Sequence, residues 1–352
     1  MDFCLKCGLP AHPLIAPLDK ASVCRQCREY QPIKYLGRER LAGLLDTFRN
    51  GQGKYDCIVN ISGGRDSAFT LLTLAKDFGM RVLAVNYANP FTHEQAKRNI
   101  AAMTAALKVD LEQFGFPGQL HEKLLRHNIR AWFKKPSAAM APVICIGCKI
   151  IWPEIIRIAK RNGVRCIVNG GNPYEYTSFK KLLLGVSAGA GLAETYLKNL
   201  KGLLSQAAAN LSYLDPRYLA TTAKAYLFSN QYALGSRLLG AQLQYIDLFH
   251  YIPWEEQTVL SRITNELGWD YPHESGSTWR FDCKIGHLKD YMYLRTIGQT
   301  EKNDFYAKTI REGLMTRQAA MERLRSENHV QYDQIREVFA AAGIDGIMLT
   351  PP

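Results

Sequence analysis

Four short apolar runs set the outer limits on what this chain can fold into. YDCIVNI (55–61), RVLAVNY (81–87), VDLEQFGF (109–116) and RCIVNGG (165–171) are separated by segments whose apolar residues recur at helical spacing. The intervening helices are expected at 67–78, 93–107, 122–135 and 148–163, the last disturbed by Pro153. Near-continuous apolar strands joined by helices imply strands buried on both faces. The expected fold class is therefore α/β, a doubly wound parallel sheet with helices on both sides. The alternation stops after residue 177: residues 178–247 are rich in Ala and Leu and read as a helical insertion, and the helical pattern resumes through 251–345.

The first strand ends in Ser62-Gly63-Gly64-Arg65-Asp66-Ser67, and a helix pattern follows at once. A strand feeding a glycine-rich turn and a helix N-terminus is a natural anion site. Free N–H groups point outward there, and the helix dipole favours negative charge. Gly63 and Gly64 let backbone approach a phosphate, Ser62 and Ser67 add hydroxyls, Arg65 can neutralise phosphate charge, and Asp66 can cap the helix or hold Mg2+. The spacing is not that of a Walker A loop. The later strand ends in Gly170-Gly171-Asn172, followed by Glu175. Ligands of open α/β sheets sit at the carboxyl ends of strands, so this loop should lie beside 62–67. Glu175 could there orient a substrate or act as a base, or could be a plain surface glutamate.

Nine cysteines fall into a pattern. Cys4-x-x-Cys7 and Cys24-x-x-Cys27 lie in a segment too short and too poor in aliphatic residues to hold itself together, which points to a four-thiolate zinc ribbon. Cys145-x-x-Cys148 and the distant Cys283 leave three readings open: a 4Fe-4S cluster with one open iron, a redox dithiol or zinc site, and inert buried thiols. Cys57 and Cys166 lie inside apolar strands and read as inert.

The net charge of +12 comes from scattered Lys and Arg, with no run as dense as a nucleic-acid tail; it reads as a set of solvated faces ahead of the alternative, attraction to phosphorylated or anionic partners. The N-terminus lacks a basic region followed by an apolar one, and LLLGVSAGAGLA (182–193) is too short to span a bilayer; a cytoplasmic protein without a membrane span is expected.

Ser-Gly-Gly-x-Asp-Ser resembles the signature of the PP-loop ATP pyrophosphatase superfamily. Taken with CIGC, NGGNPYEY, YIPWEE, WRFDCKIGHLKDY and IREGLMTRQAAMERL, the chain resembles the N-acetyl sugar amidotransferases of bacterial surface-polysaccharide biosynthesis, a branch of that superfamily. The resemblance implies that ATP and Mg2+ bind at 62–67 and 170–172, with adenine against the backbone of Val85 and Asn86. It implies adenylation of an amide oxygen with release of pyrophosphate, then replacement of AMP by ammonia to give an amidine. The substrate would be a nucleotide-linked or lipid-linked sugar, and a separate glutaminase would supply ammonia. Arg65 stands where the family commonly has Lys, and Tyr176-Thr177-Ser178 where it has Tyr followed by glycines. The rival resemblance is to PP-loop tRNA thiolases, in which sulfide displaces AMP and tRNA is the partner. The expected organisation is a zinc ribbon (1–35), an ATP-binding domain (36–177), a helical insertion (178–250) and a C-terminal helical region completing the site (251–352).

Overall fold

The apolar runs pair into one five-stranded parallel sheet of β1 (Cys57–Asn60), β2 (Val82–Tyr87), β3 (Asp110–Phe114), β4 (Cys166–Asn169) and β5 (Gln244–Asp247), in the order β3-β2-β1-β4-β5. This is a computed structural model, and it describes residues 2–49, 51, 53–187, 189–273 and 276–352. Alternate side chains of the central strands feed opposite faces, as the strand period requires. Cys57, Val59, Ala84 and Val168 meet helices Arg65–Leu72, Glu94–Leu107 and Glu256–Leu267 on one side; Ile58, Leu83, Val85 and Ile167 meet helix Trp152–Arg161 on the other.

The strand order grows outward from β1 in both directions, so the connections leave β1 and β4 on opposite sides. That reversal opens a crevice beyond their carboxyl ends. It places the 62–67 and 170–175 loops side by side.

Two details depart from the sequence reading. Residues 178–247 are not wholly helical, because β5 returns the chain to the sheet edge. Its pattern has only Ile246 fully buried, too little for an apolar run to register. The expected helix 148–163 is two helices, Ile146–Lys149 and Trp152–Arg161. Pro153 sits in the first turn of the second, where a missing N–H costs nothing, so the break precedes it. The stretch 138–161 is long and apolar enough to cross a membrane, but 61% of its most apolar window is buried within the protein.

A second core joins helices Leu120–Lys134, Ile285–Ile297 and Tyr332–Ala342 to the N-terminal cysteine segment.

Candidate nucleotide and thiol site

Cys4, Cys7, Cys24 and Cys27 bring their sulfurs within 4.8 Å of one another, the one such group of metal-binding side chains among the described residues. The Cys4–Cys27 and Cys7–Cys24 pairs are 3.8 and 3.7 Å apart. Four thiolates at about 2.3 Å from one tetrahedral ion would be spaced about 3.8 Å apart, so the set fits a single ion with no open position. Arg311 donates to Cys7 Sγ at 3.3 Å, and Met321 packs over Gly8, which ties this module to the last third of the chain.

At the switch point, a cavity of about 390 Å³ is lined by Ser62, Gly64, Arg65, Asp66 and Ser67 from the first loop and by Gly170, Gly171 and Glu175 from the second. A neighbouring cavity of about 230 Å³ runs along Val85 and Asn86 and shares Asn60, Ser62, Asp282, Cys148 and Cys283 with the first. The expected loop residues and the expected base-binding strand thus open on adjoining space. The polar floor is incompletely paired: Asn60 Nδ2 donates to Asn169 Oδ1 at 2.8 Å, while Asn60 Oδ1 and Asn169 Nδ2 are buried without partners. Buried orphans of this kind cost stability unless something bonds them. In the loop, Ser67 Oγ takes the Ser62 N–H at 3.2 Å and Ser62 Oγ takes the Gly64 N–H at 3.4 Å, long bonds that an anion would readily replace.

Gly63 is buried with φ +85, and its carbonyl accepts from Trp269 Nε1 at 3.0 Å and Asn99 Nδ2 at 3.1 Å. It anchors the loop from below. Gly170 lets β4's loop press on the helix: a methyl group there would lie 2.6 Å from Asp66 O and from Thr70 Oγ1.

Arg65 is turned inward. Its guanidinium pairs with Asp66 (3.2 Å), Glu175 (3.1 Å) and Glu256 (3.0 Å), donates to Thr278 Oγ1 (3.1 Å) and lies over the Trp254 ring. Asp66 also accepts from Trp254 Nε1 at 2.8 Å and from Asn172 Nδ2 at 2.6 Å. Burial pushes the Asp66 carboxyl up to about 6 against the pull of Arg65. Asn172 meanwhile caps its own loop, taking the N–H groups of Tyr174 and Glu175 at 3.0 Å. Glu175 is held from two sides, by Arg65 on one carboxylate oxygen and by Arg280 on the other at 3.2 Å.

Several residues here escape the sequence reading. Arg280, Asp282 and Lys289 line the main cavity. Burial raises the Asp282 carboxyl above its ordinary range. Arg280 and Lys289 converge with Lys180 on the buried Glu301, at 2.5, 3.2 and 2.6 Å. All three lie in WRFDCKIGHLKDY, the segment around Cys283, so the signal was membership of a stretch already singled out, although no role had been given to them.

Cys145, Cys148 and Cys283 line this same cavity. Residues 282–284 lie alongside 91–93, with Lys284 N–H on Phe91 O and His93 N–H on Asp282 O, which carries Cys283 across from Cys145 and Cys148. Asn89 Nδ2 donates to Cys283 Sγ at 3.3 Å. Burial pushes the Cys283 thiol up to about 12 and Cys148 well above its usual range. Among the described residues, these three do not form a close metal-binding group as the N-terminal four do.

No protein-family model matches the chain. An uncharacterized protein of Methanocaldococcus jannaschii is 23% identical over 191 residues; the match covers 52% of this chain and 65% of that relative's length. Similar solved structures include NMN synthetase from Francisella tularensis, with TM-score 0.37 and 12% identity over 89% of this chain and 96% of that one. The U34-tRNA thiolase NcsA from Methanococcus maripaludis, with its 4Fe-4S cluster, has TM-score 0.33 and 13% identity over 100% and 94%.

Proposed function

We propose that this chain is an ATP-dependent, AMP-forming enzyme of the PP-loop type that activates an amide oxygen. In this reading the amide is the N-acetyl group of a surface-polysaccharide sugar, and ammonia from a glutaminase partner is the nucleophile. One observation carries it: the Ser62–Ser67 backbone opens a helix at the sheet's switch point and faces a cavity that adjoins a second one along Val85 and Asn86. The base would lie against β2 and the phosphates on the loop amides, with Arg280 and Lys289 as counter-cations. Asp66 and Asp282 are the carboxylates that would hold Mg2+. Arg65 would act at one remove, holding Asp66 and Glu175 in place.

The amide oxygen attacks the α-phosphorus, the α–β anhydride bond breaks and pyrophosphate leaves. Ammonia adds to the amide carbon, the carbon–oxygen bond breaks, and AMP departs with the former amide oxygen, leaving the amidine. With ATP and an acceptor carrying 18O in its acetyl carbonyl, AMP and pyrophosphate are expected, with the label in AMP. ADP as product, or unlabelled AMP, would reject the mechanism.

A second reading, sulfur insertion, is favoured by the three thiols beside the loop. Three thiolates would leave one iron of a 4Fe-4S cluster open, a position where sulfide can be carried. Thiolated tRNA formed in place of amidine, by protein purified brown and iron-loaded without oxygen, would select it.

For the N-terminal set we infer structural Zn2+, because four thiolates complete its coordination. Metal analysis should give one zinc per chain, and Cys24→Ala should release it and lower the melting temperature by at least about 5 °C. Zinc retained at full stoichiometry in that variant would place the metal elsewhere.

A further inference from the structure

We propose that the helical insertion is a docking surface for an anionic lipid bilayer. Among the described residues, 17 large hydrophobic side chains are exposed, and ten of them lie between Leu197 and Leu238. That is more than half of the exposed set within about an eighth of the chain, so the clustering is not the scatter expected of an ordinary surface.

The arrangement is ordered. On helix Leu192–Ala209 the outward stripe is Leu197, Leu200 and Leu204, continued past the helix end by Leu211. The spacing is that of one helical face, and Leu197 and Leu211 are 68% and 69% exposed. The inward face carries Tyr196, Leu203 and Ala207, the last two packed on the second core, so the exposed leucines are additional to the apolar contacts that hold the helix in place. Leu219 and Leu227 on helix Pro216–Leu227, and Leu234 and Leu238 on helix Leu234–Leu239, extend the apolar exposure.

Cations border it. Lys123, Arg126, Arg130 and Lys134 fall along one side of helix Leu120–Lys134, and none of them has an acidic partner among the described residues. Arg126, Arg130 and Lys134 form one wall of a groove of about 740 Å³ whose other wall is Leu211, Leu214 and Arg217. Lys134 Nζ reaches Ser212 Oγ at 3.1 Å, and Lys135 Nζ reaches Ala209 O at 3.1 Å, which fixes the cationic helix against the end of the leucine stripe. Within the groove, Asp215 is already engaged by Arg217 at 2.6 Å.

Exposed leucines flanked by unpaired Lys and Arg are the chemistry of an interfacial helix on anionic headgroups. A protein partner is the less favoured occupant. Protein interfaces are anchored by Trp, Tyr and Arg, with Leu under-represented at their energetic centres, and Tyr232 is the one aromatic among the ten exposed side chains. A bilayer accepts aliphatic side chains from several helices without shape complementarity.

The test is sedimentation of the purified full chain with vesicles of phosphatidylcholine alone or mixed with phosphatidylglycerol. Binding to the mixed vesicles is expected, with loss on the neutral ones and weakening as salt rises. Each of Arg130→Gln and Lys134→Gln should weaken binding about fivefold. The triple variant Leu197→Ser, Leu204→Ser, Leu211→Ser should weaken it by more than about tenfold while its circular dichroism is unchanged. Absence of binding to either vesicle, or equal binding by the leucine variant, overturns the proposal. So does a concentration-dependent dimer that the leucine variant abolishes and vesicles do not compete with, which would assign the face to a second copy of the chain.

Discussion

Arg65→Met should be the most damaging single substitution at the site, and the damage should appear as lost stability before lost chemistry. The guanidinium is buried among its neighbour Asp66 and two carboxylates from distant parts of the chain, Glu175 and Glu256. Removing it leaves Asp66 buried with no cation, while Glu175 keeps Arg280 and Glu256 keeps Arg323, and an uncompensated buried charge costs about 3–5 kcal/mol. A folded protein has only about 5–15 kcal/mol to lose. The expected result is a large drop in the urea midpoint in the absence of ATP. Arg65→Lys should recover only part of it, because an ammonium cannot reach three carboxylates and Thr278 in the planar fork that arginine presents. A variant with wild-type stability but weak ATP binding would return Arg65 to the phosphates and refute its assignment as a positioning residue.

Gly63→Ala should come close behind. The residue has φ +85, and an added methyl carbon would lie 2.8 Å from the carbonyl carbon of Ala96 and 2.9 Å from its Cα. The left-handed conformation alone costs an L-residue about 1–2 kcal/mol. The clash is with the backbone of helix Glu94–Leu107, which has no rotamer to change. The loop must therefore lift, and displacement of a reacting group by about 1 Å costs about a hundredfold in rate. AMP formation is the readout. Gly64→Ala is the control for folding, because Gly64 has φ −76 and its nearest neighbour would be the Asp282 carboxylate at 3.4 Å. Equal AMP formation by Gly63→Ala and the parent would remove the loop from the mechanism.

Much of this was legible in the residues, for identifiable reasons. β1, β2 and β4 are buried on both faces, and a strand of that kind cannot avoid being an apolar run. β5 is an edge strand with one fully buried residue, and its neighbours Gln244 and Asp247 hid it inside a leucine-rich helical stretch. The 62–67 loop and the first four cysteines carry their chemistry in local spacing. By contrast, the environment of Arg65 is assembled from residues 66, 175, 256 and 278, and the cation cluster on Glu301 from residues 180, 280 and 289. No periodicity links positions so far apart. A lone Glu or Lys in sequence is indistinguishable from a surface residue until the fold buries it. The leucines of the insertion are ambiguous in another way: residues 178–247 read as helical, but composition does not say that Leu197, Leu200 and Leu204 stay exposed while Leu203 packs inward.

The docking of the cysteine module has a consequence for how the protein is made. Residues 4–27 leave the ribosome well before the Arg311 that donates to Cys7 and the Met321 that packs over Gly8. This cysteine segment must therefore wait undocked until those residues have been made, and a nascent chain arrested before Arg311 would present it to any competing surface in the cell.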